Sequence, residues 1–163
     1  MLTSRTVGAA VVAASVAALA AAFFAQYVAG LEPCPLCILQ RYPYAATIVL
    51  GALALATPGR WPALFIGLAG VVFAVGGGIA FYHVGVEVGL FEGTAACLGG
   101  AEAAATIEAL REQLLGTPPA PRCDEVAWSL FGVSIAGFNL MYAWVAATAS
   151  LGVAATLAKR ARQ

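Results

Sequence analysis

Four long stretches without a charged residue constrain this chain more than any other feature of its sequence. Their bounds are 6–31, 42–59, 61–86 and 126–158. A helix needs about 20 apolar residues to cross the hydrocarbon core of a bilayer, and each stretch has room for one such helix. The sequence therefore predicts an all-α membrane protein, a single bundle of four spanning helices over residues 1–163. The expected helix bounds are about 7–29, 42–57, 62–82 and 137–158.

The composition fits an integral membrane protein and excludes several other classes. Hydrophobic residues make up 62% of the chain and charged residues only 10%, whereas a soluble domain carries about 25% charged residues. Disorder is excluded because it requires low hydrophobicity and high net charge. A nucleic-acid-binding protein is disfavoured, since eight basic residues balance eight acidic ones and no basic surface can dominate.

The basic residues predict how the bundle is oriented in the membrane. If the N-terminus is cytoplasmic, Arg5, Arg60 and the basic residues of 159–162 all lie on the cytoplasmic side, without any acidic residue. This distribution follows the positive-inside rule. It predicts that both termini are cytoplasmic and that the loops at about 30–41 and 84–130 lie on the opposite, outer side.

The second outer loop divides into parts of different composition. Residues 85–100 are rich in glycine and predict irregular structure, whereas residues 101–115 predict a short amphipathic helix with Ile107 on its apolar face. Such a helix either lies in the plane of the membrane interface or packs on the end of the bundle. We expect the prolines of 116–121 to end it.

All four cysteines fall on the predicted outer side. Cys34 and Cys37 form a C-x-x-C motif in the first outer loop, and Cys97 and Cys123 lie in the second. Thiols on this side meet an oxidising compartment in which disulfides persist, so two pairs are the simplest interpretation. An all-thiolate zinc site is the alternative. It is less favoured because the second pair is not a C-x-x-C and an oxidising compartment disfavours four free thiolates.

The two pairs predict different chemistry. The C-x-x-C is typical of a reactive dithiol, whereas Cys97 and Cys123 enclose 25 residues and suit either a stabilising disulfide or a redox pair. Cys37 lies near the start of the predicted second helix, where unpaired N–H groups favour an anion. Arg41 is the only basic residue near this pair. Pro43 leaves two alternatives, a helix that starts near residue 42 or one that starts earlier and kinks.

These motifs resemble the DsbB family, bacterial inner-membrane proteins that oxidise a periplasmic thioredoxin-like partner and pass electrons to quinone. Residues 34–41, CPLCILQR, are similar to the family's C-x-x-C-x-x-x-R pattern, and the second cysteine pair and the four-helix layout also correspond. The resemblance implies a protein-disulfide oxidoreductase of the bacterial inner membrane. It also implies a DsbA-type partner and ubiquinone or menaquinone as the electron acceptor.

The resemblance further implies a role for each cysteine. Cys97 is the sulfur attacked by the reduced partner, which gives a mixed disulfide. Cys123 is then released and joins Cys34. Cys37 is left as a thiolate that donates to the quinone ring. A cysteine next to a positive charge is suited to this role as leaving and donating group.

Two further residues receive a cofactor-binding role from the same resemblance. Arg41 stabilises the thiolate and the oxygen of the reduced quinone, and no metal ligand is assigned. His83, the only histidine of the chain, falls at the outer end of the predicted third helix. The resemblance implies that His83 contacts the quinone and gives a hydrogen bond or a proton to its oxygen. The alternative is that His83 is simply a polar residue at the membrane interface.

Two other functions remain as alternatives. A quinone-linked oxidoreductase of the vitamin K epoxide reductase type is disfavoured because the C-x-x-C follows the first helix rather than a late one. The other alternative is a non-catalytic membrane scaffold with two structural disulfides.

Several remaining residues predict packing rather than chemistry. The three glycines at 76–78 predict a close approach of helices, and Asn139 predicts a hydrogen bond between helices. Tyr44 is expected to be an interface or packing aromatic. Glu87 is expected to be a solvated loop acid.

Overall fold

The computed structural model describes residues 3–97, 106–107, 111 and 121–160. Five helices appear in these residues: α1 (Ser4–Tyr27), α2 (Pro35–Leu39), α3 (Arg41–Ala56), α4 (Trp61–Glu87) and α5 (Ile135–Arg160). Two strands of two residues, β1 (Ser129–Leu130) and β2 (Val133–Ser134), pair antiparallel just before α5. The amphipathic helix expected at 101–115 lies outside the described residues, apart from residues 106, 107 and 111.

The prediction of four membrane-spanning helices in an all-α protein is confirmed. Within the described residues, four helical segments are long and apolar enough to cross a bilayer: α1, α2 with α3, α4 and α5. They contain 24, 22, 27 and 26 residues. Large apolar side chains cover their outer faces, for example Phe24 at 61% and Val145 at 68% exposure. A surface of this kind is suited to lipid rather than to water.

The second span shows how the uncertainty at Pro43 is resolved. The helix starts early, at Pro35, and is interrupted at Gln40, so that α3 begins at Arg41. Proline has no N–H to donate to the carbonyl four residues earlier, and its ring clashes with that carbonyl. For Pro43 that carbonyl belongs to Leu39, which is the last residue of α2. The break therefore falls where the proline requires it.

The third span is longer than the sequence predicted. Helix α4 continues to Glu87 instead of ending near residue 82, because no residue from 83 to 88 interrupts the helix. Gly89 adopts a φ of 72° just after the end of the helix, which is a conformation that glycine tolerates and other residues disfavour. Two residues expected at the helix end and in the loop, His83 and Glu87, are therefore both helical.

The helices approach one another closely where glycines face a neighbour. A Cβ atom on Gly76 would lie 3.1 Å from Cβ of Pro43, and one on Gly77 would lie 3.0 Å from Nε1 of Trp144. The expected close approach is thus confirmed for these two positions, where α4 meets α3 and α5. A Cβ on Gly78 would have no neighbour within 4 Å.

Three buried clusters follow one another along the bundle. The first joins the ends of α1 and α5 and contains Val7, Ala54, Ile66 and Ala154. The central cluster contains Val11, Tyr44, Ala69, Phe73 and Ala147. The third, called the cysteine cluster below, contains Cys34, Leu36, Val86, Cys97 and Cys123, with Cys37, Ile79 and Tyr82 packed against it.

Candidate functional site

The cysteine cluster brings together all four cysteines of the chain. They lie in segments that are far apart in the sequence, yet Cys34, Cys97 and Cys123 are buried in one cluster and Cys37 packs against it. The cluster also contains Val86 from the last turn of α4. The end of α4 and the start of the second span therefore form a common support for both pairs.

One of the two predicted pairs is a disulfide in the structure. Cys97 and Cys123 are bonded, and neither has any exposed surface. The backbone N–H of Cys123 also donates to the carbonyl of Cys97 at 3.0 Å. Because these two sulfurs are bonded to each other, the alternative of a zinc site made of four thiolates does not agree with the structure.

The other pair, Cys34 and Cys37, is not bonded. The two Sγ atoms lie 2.8 Å apart. Cys34 is the N-cap residue of α2, and its sulfur accepts a hydrogen bond from the backbone N–H of Cys37 at 3.3 Å. The sequence predicted that the free N–H groups at the start of the helix would stabilise an anion at Cys37. In the structure, the N–H of Cys37 instead donates to the sulfur of Cys34. A scaffold with two structural disulfides is disfavoured by the unbonded pair.

These donors change the acidity of Cys34. The hydrogen bond from the Cys37 side chain, followed by that from His83, lowers the pKa of the Cys34 thiol below its ordinary value, although burial acts in the opposite direction. Hydrogen bonds to the charged form favour ionisation. Cys34 is therefore prepared to exist as a thiolate, the form that takes part in disulfide exchange.

His83 lies against this thiol and is almost completely buried, at 3% exposure. Its Nε2 atom is 3.5 Å from Sγ of Cys34, and its Nδ1 atom is 2.9 Å from Nε2 of Gln40. The carboxylate of Glu87, one turn further along α4, is 4.0 Å from the same Nε2 atom. The quinone contact expected for His83 stays a prediction, and the described contacts of its ring are with protein groups.

Arg41 is directed to a different part of the bundle. Its Nη1 atom donates to Oε1 of Gln26 at 2.7 Å, and its guanidinium carbon lies 4.9 Å from the centre of the Phe23 ring. In the described part of the chain no hydrogen bond joins Arg41 to either sulfur, and its buried Nε atom has no acceptor. If one helix ran unbroken through 37–41, Arg41 and Cys37 would share one helix face. The break at Gln40 separates the two residues into different helices.

Polar residues that were not predicted from the sequence also contribute to the site. Gln40 is buried and lies between His83 and Asn139, whose Nδ2 atom donates to its Oε1 at 2.6 Å. This contact confirms the interhelical hydrogen bond expected of Asn139. Its Oδ1 atom accepts from the hydroxyl of Tyr44, so Tyr44 has a polar role beyond packing. The available signal was a polar side chain inside an otherwise apolar span.

The expectation that Glu87 is a solvated loop acid is wrong. Its side chain is only 8% exposed, and its Oε2 atom accepts a hydrogen bond from the hydroxyl of Ser134. The backbone N–H of Gly137 donates to that same hydroxyl at 3.0 Å. Because α4 continues to Glu87, the carboxylate comes to lie next to His83 and ties the helix end to the start of α5.

Cys34, Cys37 and His83 resemble a metal-binding set, since their ligand atoms lie within 4.8 Å of one another. Thiolates with an imidazole are common zinc ligands. The amide nitrogen of Gln40, however, can only donate a hydrogen bond, so Nδ1 of His83 must accept it and a neutral ring carries its proton on Nε2. The nitrogen that faces the sulfur then has no free lone pair for a metal.

The fold and the site together define a class of protein. Four membrane-spanning helices carry a buried disulfide and, in the same cluster, a free dithiol of which Cys34 is buried and Cys37 partly buried. Such an arrangement is built for thiol–disulfide chemistry at a membrane surface, because one pair is oxidised while the other holds a sulfur with lowered pKa.

Comparison with known proteins identifies the family. The family model described as disulfide bond formation protein DsbB matches residues 4–153, nearly the whole chain, and the protein belongs to the DsbB family. It is a multi-pass membrane oxidoreductase of disulfide bond formation. This membership also favours it over the vitamin K epoxide reductase type.

Several curated relatives carry the name disulfide bond formation protein B. The protein from Nitrosococcus oceani is 36% identical over 129 residues, which cover 76% of this chain and 75% of the relative. The protein from Methylobacillus flagellatus is 35% identical over 123 residues, 74% of each chain. The protein from Marinobacter nauticus is 33% identical over 150 residues, 86% of each chain. No solved structure matches the chain.

Proposed function

We propose that this protein is a thiol:quinone oxidoreductase. It reoxidises a periplasmic thioredoxin-like protein of the DsbA type and passes the electrons to ubiquinone or menaquinone. The observation that carries the proposal is that a disulfide and a free dithiol share one buried cluster. Two pairs in contact with a common core can exchange by attack of a thiolate on a disulfide sulfur.

Electrons enter at the second pair. A thiolate of the reduced partner attacks Sγ of Cys97, forms a mixed disulfide and releases Cys123 as a thiolate. The second thiol of the partner then loses its proton and attacks the mixed disulfide. This step releases an oxidised partner and leaves Cys97 reduced. Two electrons have then moved from the partner to the pair of Cys97 and Cys123.

The electrons then pass to the first pair. When Cys34 and Cys37 are joined, the Cys123 thiolate attacks Sγ of Cys34 and releases Cys37 as a thiolate. Cys97 resolves the new bond between Cys123 and Cys34, which restores the disulfide of the second pair. The low pKa of Cys34 supports its release at this second step, because a thiol of lower pKa is the better leaving group.

Arg41 is the residue that we assign to the quinone site. A quinone bound beside Arg41 would supply the acceptor of two electrons and two protons that reoxidation of the dithiol requires. The buried Nε atom of Arg41, which lacks an acceptor among the described residues, fits a carbonyl oxygen of such a ring. The neighbouring Phe23, at 42% exposure, offers an aromatic surface on the lipid side of α1. The guanidinium is a permanent cation and stabilises negative charge that develops on an oxygen.

His83 has the second role in this proposal. Its Nε2 atom lies next to Cys34, and Glu87 lies within 4.0 Å of the same atom. The exchange leaves Cys37 and Cys34 as thiolates or protonated thiols, and reduction of a quinone takes up two protons. A group beside the sulfur that can hold or pass a proton therefore supports the reaction. An imidazole is suited to this task near neutral pH. Contact of His83 with the quinone remains part of the proposal.

We further propose that the protein lies in the bacterial inner membrane with both termini cytoplasmic. The start of α1 and the end of α5 pack in the same buried cluster, which contains Val7 and Ala154. Lys159 and Arg160 occupy the last turn of α5. This basic end lies at the opposite end of α5 from Ser134, which contacts Glu87 beside the cysteine cluster, and a periplasmic position of the cysteines follows.

The experiment uses the purified full-length protein with a reduced thioredoxin-like protein and either ubiquinone or menaquinone. We expect quinone absorbance to fall with oxidation of the partner, and we expect Cys37→Ser to abolish this reaction. A preference for one quinone would identify the acceptor. Oxidation of the partner in a single stoichiometric step, without quinone reduction, would exclude quinone as the acceptor while leaving the disulfide chemistry intact.

A further inference from the structure

A continuous chain of hydrogen bonds runs from the central cluster to the sulfur of Cys34. The hydroxyl of Tyr44 donates to Oδ1 of Asn139, and Nδ2 of Asn139 donates to Oε1 of Gln40 at 2.6 Å. Nε2 of Gln40 lies 2.9 Å from Nδ1 of His83, and Nε2 of His83 lies 3.5 Å from Sγ of Cys34. The chain connects α3, α5 and α4 through the residue that separates α2 from α3.

Tyr44, at the end furthest from Cys34, determines in which direction these hydrogen bonds are donated. Tyr44 is buried at 5% exposure, and Oδ1 of Asn139 is the one side-chain acceptor of its hydroxyl among the described residues. If the amide of Asn139 were reversed, the phenol would face an N–H group and its own proton would lack an acceptor. Leaving a buried donor unpaired is unfavourable. Tyr44 therefore favours the orientation in which Asn139 donates to Gln40.

The orientation of the Gln40 amide in turn determines which ring nitrogen of His83 carries the proton. Once Oε1 of Gln40 accepts from Asn139, its NH₂ group faces His83. An amide nitrogen can only donate, so Nδ1 must be the unprotonated nitrogen of the ring. The single proton of the neutral imidazole then resides on Nε2, the atom that faces Cys34.

We propose that Tyr44, Asn139 and Gln40 are positioning residues that hold His83 in the Nε2–H tautomer and aim this proton at the sulfur of Cys34. None of the three contacts the dithiol through its own side chain. They act through His83, whose hydrogen bond favours the thiolate form of Cys34. The catalytic meaning of this device rests on the proposed function, but the tautomer itself can be measured without quinone or partner.

Other titratable and charged groups lie around the ring of His83. Glu87 lies 4.0 Å from Nε2 and competes with Cys34 for the same proton. Cys37 lies 2.8 Å from the sulfur of Cys34 on the side of α2. Tyr82 packs against the cluster, but its hydroxyl donates to the carbonyl of Glu92. The guanidinium of Arg41 is engaged on α1, so the described contacts place no cation against the ring.

The presence of a single histidine makes a direct test available. Protein labelled with ¹⁵N-histidine in detergent gives ring signals from one residue, and these signals distinguish Nε2–H from Nδ1–H. We expect Nε2–H in the wild type. We expect Asn139→Leu and Gln40→Leu to lose this preference, because Nδ1 no longer receives a directed N–H. A wild-type protein in the Nδ1–H form would overturn the proposal.

A second readout follows the sulfur. In protein reduced with dithiothreitol, the rate of alkylation of Cys34 by iodoacetamide is measured against pH, and tandem mass spectrometry separates its label from that of Cys37. We expect Asn139→Leu and Gln40→Leu to raise the midpoint by about one pH unit, which is about a tenfold slower reaction below the midpoint. An unchanged alkylation midpoint in both variants would show that these hydrogen bonds do not influence the thiol of Cys34.

Thr47→Val is the matched control. Thr47 is a completely buried residue of α3 whose hydroxyl lies 2.7 Å from that of Ser15. It also donates to the backbone carbonyl of Tyr44 at 2.9 Å, but among the described hydrogen bonds it has none with the side chains of Tyr44, Asn139, Gln40 or His83. Its loss removes a buried interhelical hydrogen bond of the same kind. We expect it to leave the tautomer and the alkylation midpoint unchanged. A shift equal to that of Asn139→Leu would mean that general loosening of the bundle, rather than the chain, controls the thiol.

Tyr44→Phe completes the series, since it keeps the ring and removes only the terminal donor. We expect a shift of the same sign as in Asn139→Leu but smaller, and this variant carries the test if the leucine variants fail to give monodisperse protein. No shift in Tyr44→Phe together with none in a folded leucine variant contradicts the proposal. Absence of quinone reduction with the expected tautomer would instead contradict the proposed function alone.

Discussion

Replacement of Arg41 by glutamine is the perturbation that most sharply tests the quinone site. Arg41 uses Nη1 on Gln26 and stacks on Phe23, which leaves its buried Nε atom as the charged donor without an acceptor among the described residues. A hydrogen bond to a charged group contributes about 1.5–3 kcal/mol. At about 1.4 kcal/mol for each factor of ten, its loss corresponds to a rise of about tenfold to 150-fold in the KM for quinone.

The assay is quinone reduction at saturating reduced partner, with the quinone concentration varied. We expect the KM for quinone to rise while the stoichiometric oxidation of the partner in the absence of quinone is unchanged. Arg41→Lys retains a positive charge but lacks the planar fork of donors, so we expect an intermediate KM.

Arg60→Gln is the matched control for this substitution. Arg60 also lies over an aromatic ring, 5.7 Å from the centre of Trp61, but it precedes α4 at the opposite end of that helix from His83. We expect its removal to leave the KM for quinone unchanged. A KM in Arg41→Gln equal to that of the wild type would refute the assignment of this residue to the quinone site.

Four other predictions follow from the described contacts. Cys123→Ala is expected to accumulate a partner adduct at Cys97 on non-reducing gels, whereas Cys97→Ala is expected to trap none; the reverse pattern would contradict the assigned roles. Because the pKa of Cys34 is lowered, its reactivity and its contribution to the stability of the reduced protein are expected to persist at neutral pH. Both are lost only as the pH falls through the folded-state pKa, and denaturation of reduced protein at several pH values measures this sign. Gly77→Ala is expected to lower the free energy of unfolding in detergent by about 1–3 kcal/mol, because its new methyl group meets the indole ring of Trp144. Gly78→Ala is the control, since its methyl group enters open space. Equal melting temperatures of the two variants would contradict this prediction. Finally, a reporter that is active only in the cytoplasm is expected to be active when fused to the C-terminus, whereas one that is active only in the periplasm is expected to be inactive; the opposite result would contradict the proposed orientation.

The membrane fold was predictable because its signal is local. Each stretch without charge lies largely within one spanning helix, although the second span begins at Pro35 and includes Arg41. The basic residues at the ends of these stretches are the basis of the proposed orientation. The bounds were less predictable, since an apolar helix does not have to end where the membrane does. Helix α4 continues to Glu87 because only Gly89 provides a conformation that ends it.

The chemistry of the site was predictable only in part. The spacing of Cys34 and Cys37 indicated a reactive pair, and a polar Asn139 within a span indicated an interhelical hydrogen bond. The partner of Asn139 was not predictable, because Gln40 is separated from it by 99 positions and only packing brings the two together. The position of His83 beside the first cysteine pair likewise depends on how α4 lies against α2.

The interruption caused by Pro43 determines where the positive charge of Arg41 lies relative to the two thiols. In one uninterrupted helix, positions 37 and 41 would be stacked one turn apart, and the guanidinium would sit over the sulfurs as an ever-present counter-charge. The break places the guanidinium against Gln26 and Phe23 of α1 and leaves the imidazole of His83 beside the sulfur of Cys34. A single proline thereby separates the positive charge of Arg41 from the two thiols, although the residues lie only a few positions apart in the sequence.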